Sequence, residues 1–334
     1  MCGDVAQLHR PQTSLPLDSG SSETAGDRPP VERSEGACTA FDEKGQTSTH
    51  PMIRQIIQTW KTTNLSDANP LFQISSSSWQ AQHPDWVYRL VDDEYLATFT
   101  RERVPVFYRN TFSRYEAQIQ RVDIFRLIYM FFEGGLYSDL DAEAVKPFDH
   151  DQAALSGIVL GSLANKENGQ HIPNAFLYSG VTRAAFWAYV LAEAEKRFQN
   201  TKGYDGAEYL TGPALLTDCY YAFKSADTKE VKKHIEIWTP ELSGLIDFWD
   251  TPVHILSPEV IYPIDWTTSS AESLNRNLAY RLENGYPPKE FNTPQTVCIN
   301  YWTHSWEIPE RGPFHALTSK FKWLGAKIRH TLRS

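Results

Sequence analysis

No stretch narrows the fold more than Arg121-Val-Asp123-Ile-Phe-Arg126-Leu-Ile-Tyr-Met-Phe-Phe-Glu133-Gly134-Gly135-Leu-Tyr137-Ser-Asp139-Leu-Asp141. From Ile119 to Phe132 apolar residues fall on nearly every side of a helix, so the spacing predicts a deeply buried one. Charged side chains do not enter such a place unless they are paired or used. Yet Asp123 and Arg126 stand in it, three residues apart and therefore on one face. Gly134-Gly135 supplies the stop, because glycine accepts the left-handed backbone that ends helices. Leu136-Tyr137-Ser138 then reads as a short strand, and Asp139 and Asp141 follow it. In an extended chain, residues two apart point the same way, so the two carboxylates are expected to converge at a strand end. Oxygen ligands so placed suit a hard divalent cation, Mg²⁺ or Mn²⁺, with phosphate oxygens completing its shell.

Length and charge exclude some classes. The 334 residues, 41% of them hydrophobic, suffice for a large core. A net charge of −9 argues against nucleic-acid binding, which needs a basic footprint. The four cysteines, Cys2, Cys38, Cys219 and Cys298, show neither C-x-x-C nor a zinc spacing and read as free thiols. No apolar run is long enough to span a bilayer, and residues 1–40 show no signal-peptide core, which favours a cytoplasmic or peripheral-membrane protein. A calcium loop built on Asp139, Asp141 and Glu143 is excluded, because its sixth position is Ala144 and its twelfth His150. A D-x-D-x-T/V phosphatase is disfavoured by Ala142 and Glu143.

A lone D-x-D occurs by chance in most proteins of this size. The combination R-x-D-x-x-R, an apolar turn, then G-G-x-Y-x-D-x-D resembles the DXD-containing glycosyltransferases of family 32. These include the fungal initiation-specific α-1,6-mannosyltransferases and the inositol-phosphorylceramide mannosyltransferases. The resemblance also takes in Pro51 to Lys61, Val145-Lys-Pro147-Phe148, Thr211-Gly212-Pro213, Val260 to Trp266 and Val297 to Trp306.

It implies an α/β fold of the GT-A type, with a Rossmann-like mixed central sheet flanked by helices. It further implies a retaining, metal-dependent transferase that moves a hexose from a nucleotide sugar to a glycan, a lipid or a lipophilic small molecule. GDP-mannose is the first donor and a UDP-hexose (glucose or galactose) the second. The competing reading is an inactive sugar-nucleotide-binding scaffold. By the same resemblance Mn²⁺ or Mg²⁺ sits on Asp139 and Asp141, with Asp141 the stronger ligand. Aligned on Ser305-Trp306, the usual family histidine falls near Asn300 while a histidine stands at His304, so the third ligand is either of these. Asp123 and Arg126 are implied to bond the donor sugar's hydroxyls. Gln58, Thr59 and Trp60 would meet the base, Arg121 would pair with a phosphate or lie at the helix edge, and Ser305 and Trp306 would close over the diphosphate. Family resemblance would place the protein in the Golgi, although the expected N-terminal anchor is not seen.

The chain should divide into a disordered polar tail over 1–50, a transferase domain over 51–310 and a basic amphipathic helix over 311–334. In that last segment, residues 316–334 carry Leu317, Phe321, Leu324, Ile328 and Leu332 as one stripe among lysines and arginines, which suits peripheral contact with a membrane. Between these ends, strands are expected at 53–60, 85–91, 155–160, 174–179, 235–238, 253–256 and 260–266. Helices are expected at 75–82, from Asp92 or Asp93 to Arg103, at 182–198 and from Pro213 to about Phe223, and a loop at 105–114.

Overall fold

The computed structural model describes residues 52–148, 154–203 and 205–303, with the backbone of two short paired strands, Ala40–Phe41 and Thr47–Ser48. Those two strands fall inside the stretch expected to lack structure. The rest of 1–50 lies outside the described residues, as do His304, Ser305, Trp306 and all of the segment expected to form a basic C-terminal helix. The chain divides into Met1–Gly36 and Ala37–Ser334, and every described residue belongs to the second unit. Among the described residues no helix is long and apolar enough to cross a membrane.

A six-stranded mixed sheet forms the centre. Its strands are β1 (Gln55–Thr59), β2 (Val87–Val91), β3 (Gly135–Ser138), β5 (Ile158–Gly161), β6 (Phe176–Ser179) and β7 (Val253–Leu256), in the order β2-β1-β3-β6-β5-β7. β6 runs antiparallel to both of its neighbours, and the other pairings are parallel. β4 (Ala142–Ala144) and β8 (Cys298–Asn300) form a separate antiparallel ladder. Alternation along the central strands explains the layers. Ile57, Tyr137, Leu160 and Leu177 enter one core, and Ile56, Leu136, Val159, Phe176 and Tyr178 enter another on the opposite face. Strands covered on both faces tend to read as apolar runs, as β5 and β6 do in the sequence.

The first core packs the sheet against α2 (Asp93–Arg103), α3 (Gln118–Phe132), α4 (Ala185–Thr201), α5 (Pro213–Ser225) and α6 (Thr228–Trp238). The second packs it against Trp79 of α1 (Pro70–Gln82) and against the β4–β8 ladder. The expected mixed sheet flanked by helices is therefore present. α3 is as buried as its composition requires, with every residue from Asp123 to Phe131 inside.

Several local expectations are corrected. Residues 235–238 end helix α6 rather than form a strand. Asp227 caps that helix on the Glu230 N–H at 2.8 Å and Glu230 returns to the Asp227 N–H, while Val231 and Ile235 sit one turn apart in the core. Pro258 starts a short helix, Pro258–Ile261, and the strand expected over 260–266 does not form. The expected loop after Pro105 holds a helix, Pro105–Asn110, and a 3₁₀ turn, Phe112–Arg114, which bury Phe107 and Phe112. Cys219 and Cys298 are buried free thiols.

The handover from α3 to β3 depends on glycine. Gly134 and Gly135 have φ of 65° and 79°. A Cβ on Gly135 would stand 2.7 Å from the Gln55 carbonyl oxygen, with the Gln55 side chain closer still. Gly135→Ala is accordingly expected to destabilise the fold by about 2 kcal/mol or more, since backbone strain and overlap add. Thermal unfolding of the variant checks this.

Candidate active site

The chain leaves β1, builds β2 on one side through α1, and returns through α3 to build β3 on the other side. The C-terminal ends of β1 and β3 therefore face a topological switch point, where open α/β sheets bind ligands. Thr59 ends β1 there and Ser138 ends β3, with Asp139 next. The two aspartates do not lie in an extended chain as expected. Residues 139–142 form a turn, closed by the Ala142 N–H on the Asp139 carbonyl at 3.1 Å. The turn carries the chain from β3, inside the six-stranded sheet, to β4, which belongs to the separate ladder.

Asp139 is held from below. Its Oδ1 accepts the Tyr137 hydroxyl at 2.6 Å and lies 3.2 Å from the Arg126 guanidinium. Thr59 Oγ1 lies 3.2 Å from the same tyrosine hydroxyl. Burial pushes the Tyr137 phenol well above its usual range, so it stays a proton donor to the carboxylate. Arg126 stacks over the Tyr137 ring at 4.5 Å and donates to the Asn174 carbonyl at 2.6 Å. It also pairs with Asp123 at 3.1 Å. Asp123 in turn accepts from Asn174 Nδ2 and from the Thr211 hydroxyl, each at 2.9 Å. Burial pushes the Asp123 carboxyl up to about 6, against the pull of Arg126. Burial also works to lower the Arg126 pKa, but Asp139 and Asp123 outweigh it and raise it.

Asp141 is held from above. Its Oδ2 accepts the Thr303 N–H at 2.8 Å and the Thr303 hydroxyl at 3.0 Å, and its carbonyl accepts the Tyr301 N–H at 2.9 Å. Just beyond, Glu143 of β4 takes a two-pronged bond from Arg281 at 2.6 and 2.7 Å and a third from the Tyr301 hydroxyl at 3.1 Å. Arg281 belongs to α7 (Ala271–Asn284), so this buried pair ties that helix to the strand leaving the turn. An oxygen-only donor set with one oxygen of each carboxylate already fixed suits Mg²⁺ or Mn²⁺. Among the described residues no three His, Cys, Asp or Glu side chains gather to hold a metal. Asp139 and Asp141 are the carboxylates that would hold a cation there, and His304, the other expected ligand, lies outside the described residues.

The other expected site residues take up varied positions around the turn. Gln58 is fully buried. Its Nε2 donates to Ser75 and to the Asp139 carbonyl, each at 3.1 Å, and its Oε1 accepts from Tyr88 at 2.8 Å. It props the turn and has no side-chain group left for a base. Arg121 bonds the Tyr115 carbonyl at 2.6 Å and Gln118 at 3.1 Å, so it braces the start of α3, in line with the helix-edge alternative. Asp123 and Arg126 lie beneath Asp139, with relative exposures of 4% and 2%, and position it rather than line an open surface. Asn300 pairs with Ala142 across the ladder, close to the turn. Its Oδ1 accepts the Trp302 N–H at 2.8 Å, and its Nδ2 has no partner among the described residues. Thr59 and Trp60 do stand at the switch point, Trp60 edge-on to Phe72 at 4.6 Å.

Reading the sequence missed Tyr137, Thr303 and the Glu143–Arg281 pair. Tyr137 lies inside the quoted motif. Nothing local marks partners 138 and 162 positions apart.

Residues 70–156 match the family described as "Glycosyltransferase sugar-binding region containing DXD motif". Inositol phosphoceramide mannosyltransferase 3 of Schizosaccharomyces pombe is 27% identical over 200 residues, 59% of this chain and 52% of that protein. Inositol phosphoceramide mannosyltransferase 2 of the same yeast is 35% identical over 102 residues, 30% of this chain and 28% of that protein. The initiation-specific alpha-1,6-mannosyltransferase of Saccharomyces cerevisiae is 30% identical over 105 residues, 30% of this chain and 22% of that protein. The chain thus spans about half the length of the first of these relatives, and less of the others. One solved structure, PaToxG glycosyltransferase, is 21% identical with a TM-score of 0.40 over 60% of this chain and 81% of that one, too low to bear on the fold. The Asp139–Asp141 turn lies inside the residues that match the sugar-binding region of DXD-containing glycosyltransferases.

Proposed function

We propose that this chain is a retaining, metal-dependent glycosyltransferase, with its transferase domain over residues 51–310, that moves mannose from GDP-mannose to a hydroxyl of a glycan, lipid or lipophilic acceptor. The observation that carries the reading is the pair of braced carboxylates, Asp139 and Asp141, on a turn at the switch point of the sheet and inside the matched region. The relatives' names support mannose as the sugar, and an inositol phosphate sphingolipid as the first acceptor to try. When bound, a divalent cation would neutralise the charge that develops on the leaving diphosphate.

The chain's own residues do the rest. Tyr137 and Arg126 hold Asp139 in one orientation, so no reorganisation is needed as charge develops. Thr59 and Trp60 stand where a base would rest at the end of β1. Asp123 has both oxygens engaged and is buried, so it is not placed as a nucleophile. That supports retention by attack on the same face, with the leaving phosphate taking the acceptor proton.

A screen of GDP-mannose, UDP-glucose and UDP-galactose with Mn²⁺, read as release of the nucleoside diphosphate, tests this. GDP-mannose is expected to turn over fastest and EDTA to stop it. A UDP-hexose consumed instead would overturn the donor. No turnover of any donor, with or without acceptor, would leave the inactive scaffold.

A further inference from the structure

Trp302 has a φ of 51°, a left-handed backbone that an aromatic residue rarely adopts. Strain of this kind persists only where the surroundings over-determine it, and it clusters at functional sites. Trp302 is over-determined. Its N–H is capped by Asn300 Oδ1 at 2.8 Å and its indole N–H bonds the Ile264 carbonyl at 2.7 Å. Its ring packs on Tyr262 and Trp266, with centroids at 5.3 and 6.3 Å. On one side the segment is fixed to β4, through Asn300 against Ala142 and the Tyr301 hydroxyl on Glu143. A turn needed only to reverse the chain would put glycine or asparagine at position 302. Here the strained residue delivers the next one, Thr303, with both of its donors on a single oxygen of Asp141.

We propose that Thr303 is a positioning residue for the cation site. It holds Asp141 in one rotamer and one orientation of the carboxylate plane, so that the site is formed before the cation arrives. Losing a donor behind a ligating carboxylate typically costs about 10- to 100-fold in metal affinity. The proposal rests on the metal-dependent reading of Asp139 and Asp141 given above. A merely structural Thr303 would affect melting and leave cation affinity per folded molecule unchanged.

The test uses the full chain without nucleotide, with free Mn²⁺ counted by electron paramagnetic resonance during titration. Thr303→Val keeps the volume and the backbone donor and removes the hydroxyl. It is expected to raise the Mn²⁺ Kd about ten-fold, with Tm within about 2 °C of the parent. Thr303→Ser restores the hydroxyl and should return the Kd to within roughly two-fold of the parent. Asp141→Asn is the reference for loss of a ligand. If the parent binds Mn²⁺, Asp141→Asn does not, and Thr303→Val binds as the parent does, the Thr303 proposal is wrong and the metal reading stands. A Thr303→Ser variant as weak as Thr303→Val would also overturn it, since shape and not the hydroxyl would then be at work. If the parent binds no more Mn²⁺ than Asp141→Asn, the metal reading fails and the proposal falls with it.

Discussion

Asp141→Asn is expected to lower transfer by about two to three orders of magnitude, the scale on which a cation stabilises a developing phosphate charge. The fold should hardly notice. Asparagine keeps an oxygen that can accept both Thr303 donors, and the substitution removes one of two like charges crowded onto a single turn. Tm is expected to stay within about 2 °C of the parent. Steady-state rates at saturating Mn²⁺, beside a melting curve, measure both quantities. A variant that turned over at near-parental rate would mean that the metal site lies elsewhere.

Arg126→Leu is expected to act through stability. The guanidinium lies between Asp123 and Asp139, and removing it leaves a buried carboxylate without its counter-charge. Stranding one member of a buried ion pair costs about 3–5 kcal/mol. The cost should be recoverable in part. In the double variant Arg126→Leu with Asp123→Asn, the new amide oxygen can accept from Asn174. Its NH₂ can donate to the Thr211 hydroxyl, whose own proton already reaches the Ala207 carbonyl at 3.1 Å. Denaturant unfolding should show the double variant regaining roughly half of the loss, because the buried charge has gone. A double variant less stable than Arg126→Leu alone would show that Asp123 is not the residue left in need.

The parts of the fold that the sequence made legible are those whose signal is local. Helix α3 announced itself by an apolar surface on nearly every side, and its end by Gly134-Gly135. The strands β1 and β2 and the Asp92 cap of α2 followed from runs and caps a few residues long. Helix α6 was misread for a local reason too. Ile235-Glu-Ile237-Trp238 alternates like a strand, and that short pattern outweighed the Asp227…Glu230 capping box eight residues upstream of Ile235.

The site was legible as a set of residues and not as a geometry. Asp123, Arg126, Asp139 and Asp141 were all named, and the structure joins Asp123, Arg126 and Asp139 in one chain of contacts. Their inward direction was not visible, because it depends on partners such as Asn174, Thr211 and Thr303 that lie far along the sequence. Gln58 shows the same limit. Position in a strand says which face a side chain takes, but Ser75, Tyr88 and the Asp139 carbonyl decide that its amide is consumed.

The account turns on one claim, that Asp139 and Asp141 serve a cation-dependent transfer from a nucleotide sugar. The direct measurement is release of GDP from GDP-mannose by the full chain, first stripped with EDTA and then repleted with Mn²⁺. The account predicts no release after stripping, recovery on repletion, and recovery by Asp141→Asn to no more than about one hundredth of the parent rate at any Mn²⁺ concentration. Release that survives stripping, or that Mn²⁺ restores equally to parent and Asp141→Asn, would contradict it.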